Sequence, residues 1–361
     1  MDPQQIDNEQ QGIDNNNPNN VQPEEDITTN RDAFYARYRF YQPRVAIGEG
    51  RFGQVYLVWD TVEGTDVVLK RFNTRGAYQL ESFERELRIL EQIGLVNDHT
   101  VSFLNHYHNP QISSSSYLVL NLMWRTLDFE VQRIGEMGDL YSLDTIRTLG
   151  LQIASGLQFL EGLNIIHADL RPENLMFTNG YEQLRIIDFG HAFVMGTEIN
   201  HSIQTTPEYR AMEVYLDLGP YTNAIDIWSF GCILGYMYSA QSLFIAETKN
   251  NIDREIVYEI VRTFGWPHRD ILRSSHMSVQ YFDYNNDQWK MKLGRWNRFQ
   301  RRPGSHPIQQ ILDSDGQERL SHEFIRLVRL IERMMDYNVN TRINIANIIR
   351  HDFFTNPRAP P

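Results

Sequence analysis

The rhythm of apolar and polar positions changes twice along this chain. Residues 1–30 carry little apolar content: Asn, Gln, Asp and Pro dominate. So polar a segment cannot offset the entropy of ordering and is expected to be disordered. From Arg44 the short runs RVAIGEG, QVYLVWD and DVVLKRF follow one another, separated by Gly-containing turns. Runs of that kind predict strands of an antiparallel sheet. In SFERELRILEQI the period lengthens, with Phe83, Leu87, Leu90 and Ile93 at helical spacing; VSFLNHYH and YLVLNL then read as two more strands. The outcome is a small β-rich lobe carrying one main helix.

After Met123 the pattern is helical. Ile146, Leu149, Ile153, Leu157 and Leu160 form an apolar stripe that stops near Gly162. The longest apolar run, AIDIWSFGCILGYMY from Ala224 to Tyr238, falls short of the roughly 20 residues a membrane span needs and contains Asp226. It predicts a helix buried in protein. The fold class is therefore α+β, a small antiparallel lobe and a larger α-helical lobe joined by Asn121 to Leu127, and the cleft between lobes is a usual place for a ligand.

Composition narrows the function. At 361 residues and 41% hydrophobic content the chain can bury a core for a two-lobed unit, and its net charge of −12 argues against direct nucleic-acid binding. The single cysteine, Cys232, excludes an internal disulfide and points to a reducing compartment, cytoplasmic or nuclear. The first residues lack a basic start and apolar core, so no signal peptide is predicted, nor any membrane partner. No feature indicates an oligomeric state.

Three constellations carry candidate chemistry. Gly48-Glu49-Gly50-Arg51-Phe52-Gly53-Gln54-Val55 lies between strand-like runs; glycines there let backbone N–H groups approach phosphate oxygens, and a plain hairpin turn is the bland alternative. Because QVYLVWD is a strand and no helix follows the glycines, a dinucleotide fold is disfavoured. Lys70 in VVLK is costly to bury unless paired, and Glu86 in the next helix and a phosphate are candidate partners. Finally, IIHADLRPENL and LRIIDFG supply Asp169, Asn174 and Asp188. One carboxylate can orient a hydroxyl and accept its proton, while an amide and a second carboxylate can hold Mg²⁺ against triphosphate oxygens.

Taken in order, GEGRFGQV, VVLK, HADLRPEN, DFG, AMEV and AIDIWSFGCIL resemble the landmarks of the eukaryotic protein kinases over residues 38–354. The likeness implies an N-lobe over 38–122, a C-lobe over 124–354 with an insert at 266–310, and a flexible tail at 355–361. IIHADLRPENLM and the segment around YRA resemble the CMGC group, most of all the homeodomain-interacting and dual-specificity tyrosine-regulated kinases. The resemblance implies ATP and Mg²⁺ as cofactors and protein substrates as partners. It assigns Asp169, Arg171 and Asn174 to catalysis, Asn174 and Asp188 to metal, and a salt bridge to Glu213 and Arg342. For ATP it implies Ile47 through Val55, Val68, Lys70, Glu86, Leu120 as gatekeeper, the hinge Asn121, Leu122 and Met123, and Met176.

Several positions depart from the family. Ala168 stands where an arginine often binds a phosphorylated activation loop, Arg171 where serine/threonine kinases have lysine, Val68 where alanine is usual, and Met212 where proline is usual. Ser202 replaces the tyrosine of related kinases, and the arginine favouring proline after the phosphosite is missing, with Thr206, Pro207 and Glu208 in its place. PEN points to serine/threonine transfer; dual or tyrosine specificity stays open. The rival from another class is a pseudokinase scaffold, supported by those departures. A small-molecule phosphotransferase shares H-x-D-x-x-x-x-N but should lack AMEV and AIDIWSFGC. The insert's run from Trp289 to Arg302 mixes basic and aromatic residues, readable as a dock for an acidic partner or as a solvated segment packed by its tryptophans.

Overall fold

In the computed structural model, residues 41–356 are described apart from 51–52, 75, 95–96, 109–114, 179, 181–182, 198–202, 204, 249, 286–287, 293–302 and 313–320. The Asn/Gln-rich start, Arg51, Phe52, Ser202, the basic run at 293–302 and most of the tail lie outside them.

Strands β1 (Tyr41–Gly50), β2 (Gly53–Asp60), β3 (Thr65–Asn73), β4 (Phe103–Tyr107) and β5 (Ser115–Asn121) form one antiparallel sheet in the order β1-β2-β3-β5-β4, with helix α1 (Ala77–Ile93) between β3 and β4. Side chains alternate across each strand, so one face gathers Tyr56, Val58, Val67, Leu69, Tyr117 and Val119 into a small core of its own. The opposite face carries Val55, Val68, Lys70, Phe72, Leu118 and Leu120. Register places Val55 opposite both Gly48 and Lys70, and Val68 opposite Leu120. Helix α1 has no side-chain N-cap, so packing holds it: Phe83, Ile89, Leu90 and Ile93 are buried, and Phe83 meets Phe72 edge-on at 5.4 Å.

The helical lobe begins with α2 (Leu127–Glu136), capped by Thr126, and α3 (Leu143–Gly162), capped by Ser142. Two short antiparallel pairs follow, β6 (Ile165–Ile166) with β9 (Phe193–Val194) and β7 (Leu175–Phe177) with β8 (Leu184–Ile186). After α4 (Met212–Tyr215) comes α5 (Ala224–Ser239), buried continuously from Ile225 to Met237. A helix apolar all round is a core helix, as its sequence predicts. It is followed by α6 (Ile252–Phe264), α7 (Arg269–Ser274), α8 (Ser278–Tyr281), the hairpin β10 (Phe282–Asn285) and β11 (Gln288–Met291), α9 (Ile308–Leu312), α10 (His322–Met334), α11 (Ile345–Ile349) and α12 (Asp352–Thr355), with α9 and α10 packed on α5 and α11 and α12 on α3. Among the described residues no helix is long and apolar enough to cross a membrane. In the insert, Trp289 packs on Tyr284 at 4.8 Å and Trp266 meets Phe282 at 5.7 Å, so these tryptophans serve packing.

The glycines of the first motif have separate causes. A Cβ on Gly53 would lie 1.5 Å from the Arg71 carbonyl oxygen, whereas one on Gly48 would meet nothing nearer than Val55 Cβ at 3.9 Å. Gly53 is thus demanded by the β2–β3 approach itself. Gly53→Ala is expected to lower stability by roughly 1–3 kcal/mol, the usual cost of overpacking, as read by chemical denaturation; a variant unfolding with the unaltered chain would refute this origin.

Candidate active site

On the cleft face of the sheet, Lys70 Nζ lies 2.8 Å from each carboxylate oxygen of Glu86 and 2.6 Å from Asp188 Oδ1. One ammonium thereby joins β3, α1 and the loop after β8. Glu86 is 1% exposed, while the Asp188 side chain keeps 36% of its surface open. Burial works against the charge on Lys70, but Asp188 and Glu86 outweigh it and hold the amine above its ordinary range. Burial also opposes the Asp188 carboxylate, and Lys70 overcomes this to draw it down to about 2. In Glu86 burial dominates and pushes the carboxyl up to about 7 against the pull of Lys70.

The loop from His167 to Asn174 is anchored from beneath. Asp226 of α5 accepts hydrogen bonds from the backbone N–H groups of His167 at 2.8 Å and Ala168 at 2.9 Å. This holds Ala168 at φ 62°, a conformation L residues adopt at a cost. Burial pushes Asp226 above the usual carboxylate range, opposed by His167 and by both N–H groups. His167 is fully buried; its Nδ1 accepts from the Asp169 N–H at 3.3 Å, which leaves the proton on Nε2 to donate to the Ile187 carbonyl at 2.9 Å. Its ring also meets the buried Phe189 edge-on at 5.3 Å. The loop and the DFG segment are therefore stitched together.

Asn174 Nδ2 donates to the Asp169 carbonyl at 2.8 Å and to Asp169 Oδ2 at 3.3 Å, turning its amide oxygen the other way. Asp169 Oδ1 receives both the N–H and the hydroxyl of Thr206, at 2.9 and 2.8 Å. Further out, Glu213 and Arg342 form a bidentate pair at 2.6 and 2.8 Å, the guanidinium also donating to the carbonyls of Ala224 and Asp336 and stacking on Trp228. This is the pairing the sequence resemblance implies.

Residues 41–354 match the family model described as "Protein kinase domain". The chain belongs to the protein kinase family. Homeodomain-interacting protein kinase 4 of Mus musculus is 27% identical over 342 residues, covering 85% of this chain and 54% of the relative. The Rattus norvegicus protein of that name gives the same figures. This kinase is thus a divergent, CMGC-like member, and it spans about half the length of the curated relatives it matches. Its bilobal α+β fold is the family's.

Around the expected nucleotide position the kinase places apolar side chains that are incompletely covered: Ile47 is 49% and Leu122 41% exposed, and Val68, Leu120 and Met176 are half-buried. Met123 is buried, and Asn121 Oδ1 accepts from the Ser102 N–H at 2.6 Å, which ties the hinge to the segment before β4. The Gln54 side chain accepts from Tyr56 Oη and Arg71 Nη1. Arg171, which the resemblance assigns to catalysis, donates to Glu173 and Thr206.

Two positioning residues escaped the sequence reading. Asp226 had a usable signal, since a carboxylate in an otherwise apolar buried helix is costly unless it is hydrogen-bonded. Thr206 had none, because its partner Asp169 lies 37 residues earlier. For a metal, Asn174 and Asp188 offer an amide oxygen and an ionised carboxylate. That all-oxygen set suits a hard divalent cation rather than a thiophilic one, and among the described residues no cluster of three or more His, Cys, Asp or Glu competes with it.

Proposed function

We propose that this chain is an ATP-dependent protein kinase that transfers the γ-phosphoryl group to serine or threonine hydroxyls of protein substrates. The observation that carries the reading is Lys70 bonded at once to Glu86 and Asp188. In protein kinases that ion pair and the metal-loop aspartate must both be in place for transfer. Lys70 would place the α- and β-phosphates, and Asn174 with Asp188 would hold Mg²⁺, which supplies neutralisation of the triphosphate charge. Asp169 orients the attacking hydroxyl and takes its proton. As the hydroxyl oxygen bonds to the γ-phosphorus, the bond to the β,γ-bridging oxygen breaks and ADP leaves.

The serine/threonine preference rests on the PEN motif at Pro172, Glu173 and Asn174, which resembles that branch of the family; the Thr206 hydroxyl bridges Asp169 and Arg171 beside it. The pseudokinase alternative has less support, since none of the charges needed for nucleotide, metal or base is lost. Two further points belong to the proposal: an interaction with homeodomain proteins, as the relatives' name suggests, and a cytoplasmic or nuclear location.

Phosphorylation of a peptide array by the unaltered protein tests the reading, with label expected on serine and threonine peptides. No incorporation above background would sink it. Separately, Mg-ATP is expected to raise the melting temperature, and EDTA to remove most of that gain, because stabilisation follows ligand binding to the folded state. A melting curve unmoved by Mg-ATP would count against the nucleotide site.

A further inference from the structure

The Arg171 side chain is held in a way its sequence does not announce. Nε donates to Glu173 Oε2 at 2.8 Å and Nη2 donates to Glu173 Oε1, a bidentate pair along one edge of the guanidinium. Nη1 donates to Thr206 Oγ1 at 2.8 Å, and that hydroxyl in turn donates to Asp169 Oδ1 at 2.8 Å. A guanidinium has five N–H donors in a rigid plane. Three are engaged here. Among the described residues two remain, one on each terminal nitrogen, and the arginine side chain is 30% exposed.

We propose that Glu173 is a positioning residue: it clamps the Arg171 plane so that the remaining donors face the phosphoryl group in flight, beside the carboxylate that receives the hydroxyl proton. The inference rests on the protein kinase reading above and adds the route by which Arg171 acts. A lysine needs no such clamp, because an ammonium is a point charge on a flexible stem that presents donors in any direction. An arginine at this place has a plane that must be set, and a carboxylate two positions along the loop sets it. Arg171 and Glu173 therefore function as a unit, and Arg171→Lys makes Glu173 dispensable to the transfer step.

Phosphorylation kinetics of four proteins test this: the unaltered chain, Glu173→Gln, Arg171→Lys, and the double variant. Glu173→Gln is expected to lower kcat about ten- to hundredfold, the span set by losing hydrogen bonds to a charged group, with KM for ATP and peptide little changed. Glu173→Asp, whose shorter carboxylate reaches fewer donors, falls between. In the Arg171→Lys background the same Glu173→Gln change alters kcat by less than about twofold, which is non-additivity between contacting residues. Melting temperatures stay close to that of the unaltered chain, since the Glu173 side chain is 40% exposed. Equal losses in both backgrounds, a loss expressed as a raised peptide KM, or a fall in rate that merely tracks a fall in melting temperature would overturn the inference. So would a fully active Glu173→Gln variant of a working kinase, in which case the kinase reading stands. An unaltered chain without transfer would overturn both.

Discussion

Asp169→Asn is expected to reduce phosphoryl transfer by about 10²–10⁴-fold, the range for removing a positioned general base, while Mg-ATP still raises the melting temperature. The geometry explains why the two readouts separate. Asp169 takes no part in the Lys70, Glu86 and Asp188 cluster, so the proposed contacts of Lys70 with phosphate and of Asp188 with metal persist. Its Oδ1 accepts two hydrogen bonds from Thr206, and an asparagine oxygen can keep them. The amide nitrogen at the other position cannot accept a proton, and it faces the Asn174 Nδ2 donor at 3.3 Å, where two N–H groups would oppose one another. Measured kcat with a phosphoacceptor peptide, alongside a thermal-shift titration, checks this. Turnover within threefold of the unaltered chain would remove Asp169 from the proposed role.

Arg342→Leu is expected to cost about 3–5 kcal/mol of stability, the penalty for removing one partner of a buried ion pair. Glu213 is 5% and Arg342 6% exposed. The arginine satisfies Glu213 and the carbonyls of Ala224 and Asp336 together, so its loss leaves a buried carboxylate and two carbonyls without their donor. It also lies over the Trp228 ring at 5.3 Å, adding packing that leucine replaces only in part. A lowering of the melting temperature by roughly 5–15 °C follows for a domain of this size. Arg342→Leu with Glu213→Leu should recover part of it, because the stranded charge is then gone. A double variant less stable than Arg342→Leu alone would show that the pair's net contribution, and not the unpaired charge, sets the loss.

Much of this molecule was legible from its residues. The strands were readable because alternation and turn glycines are local, and α5 because an apolar run too short for a bilayer has to be buried. The pairing of Lys70 with Glu86 was legible from the cost of burying a lone lysine and that of Glu213 with Arg342 through family resemblance, whereas nothing near Lys70 in sequence names Asp188, which lies 118 residues away. Gly53 shows the opposite limit. It reads as part of a phosphate-cradling motif, yet its lack of a side chain is already demanded by the Arg71 carbonyl on the neighbouring strand.

Ala168 and Arg171 divide along the same line. In sequence both are departures from a kinase loop, and neither deletes a charge that phosphoryl transfer requires. In the folded chain Ala168 costs the loop nothing in anchorage, since the contacts run through backbone N–H groups to Asp226 and need no side chain there. Arg171 gains a dedicated partner in Glu173. Local order, the buried helix and the kinase landmarks were determined by the sequence alone, because short-range periodicity and motif order are properties of the chain. Which oxygen faces which donor was decided only by tertiary structure: hydrogen bonds such as Thr206 to Asp169 and Asp226 to His167 join residues that folding, and not proximity in sequence, brings within 3 Å.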